Sequence, residues 1–174
     1  MLLIITSTLL TLFGWFSSGP AQNPAGSLKW MTWDEAVNAN KLKAKPIFVD
    51  VYTDWCGWCK KMDATTFSDP VLVNYLNNHF YVVKFNAEQK EDVVYNGKTY
   101  KFVANGGRGY HELANYLLQG KFSYPTTVYI DEKLALLTPV PGYLEPAQIA
   151  PILHYFGGGD YLKMDYATFQ KSYK

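Results

Sequence analysis

Hydrophobic positions along the chain form short apolar runs, separated by segments in which apolar residues recur at helical spacing. The run at residues 46–52 (PIFVDVY) predicts a strand buried on both faces. A helix is predicted from Pro70 to about Asn78, and residues 81–85 (YVVKF) predict a second strand. Strand, helix and strand form a βαβ unit, so the pattern favours an α/β fold.

The second half of the chain continues the same mixture of elements. The pattern predicts a helix over 110–119, and then an antiparallel pair of strands over 126–130 and 134–140. A further helix is predicted from Pro146 to Phe156, and the aromatic tail 161–174 is expected to pack back as a short helix.

The amino terminus has the features of an export signal. Residues 2–16 are apolar but shorter than the ~20 residues that a membrane span needs, and residues 19–21 end like a small-x-small cleavage site. We therefore expect residues 1–21 to be a signal peptide. No Lys or Arg precedes the apolar run, so a retained anchor or a buried first helix are the alternatives.

Composition narrows the class of protein. The chain has 48% hydrophobic and 18% charged residues, which is typical of a globular domain rather than of disorder. The formal net charge is +1 and no basic run occurs, so we expect no nucleic-acid partner.

The only two cysteines, Cys56 and Cys59, lie two residues apart in the segment DWCGWCKK. A disulfide across so short a loop adds little stability, which disfavours a structural staple. A zinc site needs about four ligands, and the three histidines are scattered, so we expect no metal. Redox chemistry is favoured over both alternatives.

The predicted elements place this pair where such chemistry works. Cys56 follows a strand and opens a helix, where unpaired backbone N–H groups and the helix dipole stabilise a thiolate. Cys59 lies three residues further on, on the same side of the helix. We expect Cys56 to attack a disulfide and Cys59 to resolve the mixed disulfide that forms.

The run VDVYTDWCGWCK resembles the thioredoxin superfamily, in particular the exported bacterial thioredoxin-like proteins of the DUF255/thioredoxin-7 type. The similarity extends from about Lys45 to Phe156. It implies a thioredoxin-like fold, with a central mixed β-sheet flanked by helices.

The resemblance also implies roles for two charged residues. Asp50 matches a buried acid that accepts a proton from the resolving Cys59 thiol through water, and Lys84 matches the lysine beside that acid. Solvated positions are the alternative for both, Asp50 at the wet end of its strand and Lys84 at a strand end.

Other positions match the substrate-binding surface of the superfamily. Pro125 matches the cis-proline that faces the disulfide, and Tyr124 would offer backbone hydrogen bonds to an extended peptide. Trp55 matches the tryptophan beside the active site. Gly57 would keep the approach open, whereas Trp58 departs from the proline or histidine that indicates redox direction.

The chain is longer than a minimal thioredoxin. We divide it into an N-terminal extension with a short helix (22–44) and a thioredoxin-like domain (45–174) with an insertion at about 87–110. Asn96-Gly97 predicts a type I′ β-hairpin within the insertion, which either flanks the active site or covers a sheet edge. The glycine cluster at 106–109 lacks the Lys-Ser/Thr of a phosphate-binding loop.

The sequence thus predicts an exported, periplasmic thiol-disulfide oxidoreductase that acts on protein thiols and disulfides, more as a reductase than as an oxidant. No cofactor is expected beyond the redox-active Cys56–Cys59 disulfide. We expect a monomer that exchanges electrons with a membrane donor or acceptor. The alternative is a peptide-binding module on the same fold, with an idle disulfide.

Overall fold

The computed structural model describes residues 26–174, which form a mixed α/β fold. The predicted signal peptide, residues 1–21, lies outside the described residues. The elements, in chain order, are β1 (Trp30–Met31), α1 (Trp33–Leu42), β2 (Ile47–Tyr52), α2 (Gly57–Ala64), α3 (Pro70–His79), β3 (Tyr81–Asn86), β4 (Val93–Tyr95), β5 (Lys98–Tyr100), β6 (Phe102–Val103), β7 (Tyr110–His111), α4 (Glu112–Leu117), β8 (Thr126–Ile130), β9 (Leu136–Pro141), α5 (Pro146–Gly157) and α6 (Tyr166–Ser172).

Five strands form the central sheet in the order β1-β3-β2-β8-β9. The β1, β3 and β2 strands are mutually parallel, whereas β8 runs antiparallel to both β2 and β9. Strand β2 is therefore central, and its residues are buried as far as Val51. This arrangement confirms the predicted mixed sheet flanked by helices.

Side chains alternate between the two faces of the sheet, as the two-residue period of a strand requires. Ile47, Val49 and Val51 pack with α1, α4 and the β4–β5 hairpin on one face. Phe48 points to the other face, which α2, α3 and α5 cover. Asp50 lies two residues after Phe48, so its carboxyl points to the face that α2 covers.

The segment before residue 45 is an integral part of this core. Strand β1 pairs with β3, and Trp33 at the start of α1 is only 4% exposed and packs in the core of the first face. Thr32 caps α1 in a capping box with Glu35. Residues 26–44, which belong to the segment predicted as an N-terminal extension (22–44), therefore contribute a strand and a helix to the domain.

The insertion between β3 and α4 contains two small ladders. The β4–β5 hairpin turns at Asn96 and Gly97, which both have positive φ (49° and 78°), as a type I′ turn requires. Its Tyr95 packs on Trp33 and joins the core of the first sheet face. The hairpin thus covers a face of the central sheet, and its two strands pair with each other rather than with an edge strand of that sheet.

The second ladder, β6–β7, was not predicted, and it shortens the helix expected over 110–119. Tyr110 and His111 pair with Val103 and Phe102, so α4 begins at Glu112. Among residues 26–174, no helix combines the length and the apolar character that crossing a membrane demands.

Candidate active site

The two cysteines lie at the junction of β2 and α2. Cys56 is the N-cap residue of α2, and its Sγ accepts a hydrogen bond from the backbone N–H of Cys59 at 3.1 Å. The two sulfurs form a disulfide with an S–S distance of 2.10 Å and a Cα–Cα distance of 5.3 Å. Cys56 is 5% exposed and Cys59 is 2% exposed, so Cys56 is the more accessible of the two.

The chain reaches this geometry through a short turn after β2. The Cys56 N–H donates to the Thr53 carbonyl at 3.1 Å, and the Cys56 carbonyl accepts the first intrahelical bond from Lys60. Gly57 is the first helical residue, and a Cβ atom there would meet no atom within 4 Å. An alanine would therefore fit at this position, and no packing contact requires glycine there.

Asp50 lies on β2 and is 1% exposed, which rules out the solvated alternative for this residue. Burial raises the pKa of its carboxyl to about 6, against the opposing effect of Lys84. No described residue donates a well-aligned hydrogen bond to either carboxylate oxygen. The carboxyl can therefore exchange a proton near neutral pH, but it makes no direct hydrogen bond to either sulfur.

Strand register brings Lys84 next to Asp50, because the two residues are partners across β2 and β3. The Lys84 Nζ atom lies 2.9 Å from Asp50 Oδ2 and also pairs with Asp63. Its ammonium lies over the rings of Trp30 and Tyr52, at 4.9 and 5.0 Å from their centroids. Burial alone would lower the pKa of Lys84, but the two carboxylates outweigh it and the pKa is raised.

Asp63 was not predicted as a site residue, although its helical spacing from the two cysteines could have indicated it. Cys56, Cys59 and Asp63 follow the three- and four-residue spacing of one helix face. That face of α2 lies over the sheet, so Asp63 reaches Lys84. The site thus contains a second carboxylate that shares the lysine with Asp50.

The Tyr124–Pro125 peptide bond is cis, and Pro125 is buried directly before β8. Tyr124 packs edge-on against Trp55, with ring centroids 5.9 Å apart. Trp55 is 50% exposed, and its indole Nε1 donates to Glu88 Oε1 at 3.0 Å. The residues predicted for one side of the binding surface are therefore in mutual contact.

Trp58 lies on a second aromatic surface. It is 57% exposed, and its ring centroid lies 5.5 Å from that of Tyr143. The Lys61 Nζ atom lies over both rings, at 4.8 Å from the Trp58 centroid and 5.0 Å from the Tyr143 centroid. Tyr143 was not predicted, because it follows β9 far from the cysteines in sequence.

A groove of about 490 Å³ lies beside Trp55 and Tyr124. Part of its wall comes from the loop between β6 and β7, where Arg108 lies over the Trp55 ring at 4.5 Å from the centroid. Sequence reasoning missed Arg108 and Glu88, because both lie in the insertion and carry no motif. The lining residues are Trp55, Glu88, Asn105, Arg108, Gly109, Tyr110, Phe122, Ser123 and Tyr124.

The arrangement contains the parts that thiol-disulfide exchange needs. A cysteine at a helix N-terminus has its thiolate stabilised by backbone N–H groups, and a second cysteine lies within bonding distance of it. A buried carboxyl is available for proton transfer, and exposed aromatic rings flank the disulfide.

Fold and site together define a thioredoxin-fold protein with a CxxC disulfide. Residues 18–139 match the family model Thioredox_DsbH, described as a protein of unknown function, DUF255. The chain belongs to this family.

Curated relatives match short segments of the chain. The thiol:disulfide interchange protein DsbD of Pectobacterium atrosepticum is 35% identical over 63 residues, 34% of this chain and 11% of that protein. Spermatogenesis-associated protein 20 of Rattus norvegicus is 34% identical over 74 residues, 42% of this chain and 9% of that protein. The matched segment thus spans about a tenth of each relative.

Solved structures share the fold over most of the chain. A DsbH oxidoreductase superimposes with a TM-score of 0.54 and 20% identity, covering 82% of this chain and 95% of that one. A thioredoxin from Thermus thermophilus gives a TM-score of 0.55 and 20% identity, covering 74% of this chain and 86% of that one. These likenesses confirm the predicted thioredoxin fold.

Proposed function

We propose that this protein is an exported thiol-disulfide oxidoreductase that reduces disulfides in protein substrates. The observation that carries the proposal is the disulfide between the N-cap residue of α2, Cys56, and Cys59. The family relationship and the similarity to the thiol:disulfide interchange protein DsbD support the same class of reaction.

The reaction starts from the dithiol form. The Cys56 thiolate attacks one sulfur of the substrate disulfide, so that a Cys56–substrate bond forms and the other substrate sulfur leaves as a thiolate. The Cys59 thiolate then attacks Cys56 Sγ and releases the second substrate thiolate. Two electrons pass to the substrate, whose thiolates take up two protons, and the Cys56–Cys59 disulfide remains. An external dithiol must then reduce it.

Asp50 would act on the second step of this reaction. Cys59 is almost fully buried, so its thiol needs a base to lose its proton before it can attack. The Asp50 carboxyl, with its pKa near 6, is largely ionised at pH 7 and would accept that proton through a water molecule. Lys84 would limit the cost of the buried Asp50 charge.

Substrate peptides would bind along the segment before β8. Neither the N–H nor the carbonyl of Tyr124 is hydrogen-bonded within the described residues. These groups are available to an extended peptide in a strand-like arrangement. The exposed rings of Trp55 and Trp58 would contact the peptide on either side of the disulfide.

The proposal also covers where the protein acts, its oligomeric state and the source of its electrons. We propose that the protein acts in the periplasm as a monomer, after export by residues 1–21, and that a membrane protein returns its electrons. The thiol:disulfide interchange proteins among its relatives motivate such an electron partner.

The mixed disulfide provides the direct test. In a reduced Cys59→Ser variant the first step can proceed but the second cannot, so a covalent complex with unfolded protein substrates that contain a disulfide should accumulate on non-reducing gels. Cys56→Ser should form no such complex, and it should also abolish turnover in an insulin-reduction assay.

The rival is a peptide-binding module on the same fold, for which the exposed aromatic surfaces are the supporting observation. It predicts that Cys56→Ser binds peptide substrates and retains its biological activity. That outcome, together with no covalent complex in Cys59→Ser, would replace the oxidoreductase proposal.

A further inference from the structure

The β6–β7 ladder, whose connecting loop contains Arg108, is joined by backbone hydrogen bonds to the end of β2, the strand that precedes the two cysteines. The His111 N–H donates to the Ala87 carbonyl at 2.7 Å, and the Ala87 N–H donates to the Tyr52 carbonyl at 2.8 Å. Tyr52 is the last residue of β2, four residues before Cys56. The insertion therefore extends directly from the edge of the active site.

The imidazole of His111 strengthens this anchor. It is fully buried, its Nδ1 accepts from the Leu113 N–H at 3.1 Å, and its Nε2 lies 3.0 Å from the Glu91 carbonyl. Burial lowers the pKa of the ring, despite the opposing effect of Glu91. A neutral ring protonated at Nε2 satisfies both contacts.

Close packing at Gly109 fixes the last residue of the loop. A Cβ atom at Gly109 would overlap the Phe102 ring and the Val103 carbonyl oxygen. Only glycine fits beside the Phe102 ring and the Val103 carbonyl without a shift of the neighbouring atoms. This packing fixes the position of residue 109. Arg108 is the residue before Gly109, and its guanidinium lies over the Trp55 ring.

The guanidinium of Arg108 has no other partner among the described residues. It lies over the Trp55 ring, with its Cζ atom 4.5 Å from the centroid, and it forms neither a hydrogen bond nor an ion pair within residues 26–174. A cation–π contact uses none of the N–H donors of a guanidinium, so those of Arg108 are available to a ligand. Those donors match the geometry of a carboxylate.

Glu88 is the other charged side chain among the residues that line the groove, and one of its carboxylate oxygens accepts a hydrogen bond. Glu88 accepts from the Trp55 indole at 3.0 Å, and the Glu88 N–H is itself held by the Asn86 side chain at 2.9 Å. Burial, with a contribution from Glu88, raises the pKa of Tyr124 to about 12, so its hydroxyl stays neutral. Arg108 is thus the charged group of the groove with donors to offer.

We propose that Arg108 selects substrates with an acidic side chain next to the reactive cysteine. The acidic side chain would lie in the groove and bind the Arg108 guanidinium, while the adjacent cysteine lies at Cys56. This inference rests on the proposed thiol-disulfide exchange, to which it adds a substrate class.

The test uses three synthetic peptide disulfides that differ only at the two positions flanking the cysteine, which hold Glu, Gln or Lys. The full-length chain is first reduced and freed of reductant, so that a single turnover needs no upstream donor. Rates are measured by acid quench and chromatography, and the neutral bis(2-hydroxyethyl) disulfide serves as a further substrate for the unaltered protein.

The unaltered protein should reduce the Glu peptide about fivefold faster than the Gln peptide, as expected for an ion pair near the surface. The preference should shrink as ionic strength rises, because salt screens such a pair. Arg108→Gln should abolish the preference, and Arg108→Glu should reverse it in favour of the Lys peptide. A reversal cannot result from a loss of folding.

Lys98→Gln is the matched control. Lys98 is another cation of the insertion that lies over an aromatic ring, Tyr100 at 4.6 Å, but it does not line the groove. This variant should keep the preference for the Glu peptide, which shows that net charge alone does not produce it.

Two outcomes would overturn the inference while the proposed function stands: equal reduction of all three peptides, or a preference for the Lys peptide, which would assign the selection to Glu88. Retention of the Glu preference in Arg108→Gln would overturn it as well. If the unaltered protein reduces neither the peptides nor bis(2-hydroxyethyl) disulfide, the proposed function fails and the inference fails with it.

Discussion

Burial of Asp50 suits proton transfer but lowers the stability of the folded protein. The sheet register places its carboxyl in a buried position, where ionisation costs free energy that Lys84 only partly returns. A buried acid with a raised pKa is useful for proton transfer, but it destabilises the folded protein once it is ionised.

The sign of this effect gives a prediction for Asp50→Asn. Burial raises the pKa of this carboxyl from the usual 3.8 of an aspartic acid to about 6 in the folded protein, so folding favours the protonated form. The stabilisation that the protonated Asp50 gives the folded protein is complete below the pKa of Asp50 in the unfolded chain. It is lost as pH rises through about 6. By linkage the loss is about 3 kcal/mol at pH 8, and Asn should remove it.

Urea unfolding of the oxidised protein at pH 4 and pH 8 measures the difference. The free energy of unfolding of Asp50→Asn relative to the unaltered protein should rise by about 2–3 kcal/mol between the two values. The same relative stability at both pH values would show that Asp50 is not buried with a raised pKa.

Substitution of Asp63 tests whether Lys84 pairs with both carboxylates. In Asp63→Asn, one negative charge near Asp50 disappears and Lys84 is left to pair with Asp50 alone. Both changes favour the ionised form of Asp50, so its pKa should fall below about 6. NMR titration of the Asp50 carboxyl carbon measures this, and a rise in that pKa would contradict the described pairing.

At the level of single residues, the CxxC motif identified Cys56 and Cys59 as candidates, and the resemblance to the thioredoxin superfamily added Asp50 and Lys84. The sequence could not assign Lys84 to two carboxylates, because that depends on how closely α2 approaches β3. Arg108 was beyond prediction for a similar reason, since it meets Trp55 only after the loop has folded.

At the level of secondary-structure elements, the insertion contains one feature that the sequence predicts and one that it does not. The Asn96-Gly97 turn was predictable because both residues must adopt positive φ, a requirement that few residue pairs satisfy. The β6–β7 ladder was not, because two-residue strands have no periodicity to detect. The loop between its strands is packed closely at Gly109, against the Phe102 ring and the Val103 carbonyl.

Gly109→Ala tests whether those contacts fix the loop. The added methyl group would overlap the Phe102 ring and the Val103 carbonyl, so the loop must shift, and we expect a loss of about 1–3 kcal/mol in unfolding free energy. Gly107→Ala is the control, because a Cβ atom there meets nothing within 4 Å. Denaturant unfolding of both variants should separate them, and equal stabilities would contradict the packing at Gly109.

At the scale of the whole molecule, the sequence predicted the layering of the fold but not the strand that precedes α1. Apolar strands and amphipathic helices are patterns that one chain reveals, which is why the mixed sheet was predictable. The pairing of β1 with β3 was not, because it joins Trp30 to Val82, far away in sequence. The structure therefore extends the domain to include β1 and α1.

The central claim is that this molecule is a reductant, and the equilibrium reduction potential of the Cys56–Cys59 pair against glutathione tests it most directly. A reductant must hold its disulfide as the stable form, so the account predicts a potential near or below the roughly −270 mV of thioredoxin. A value near the roughly −120 mV of strong periplasmic oxidants would contradict it and would assign disulfide formation instead.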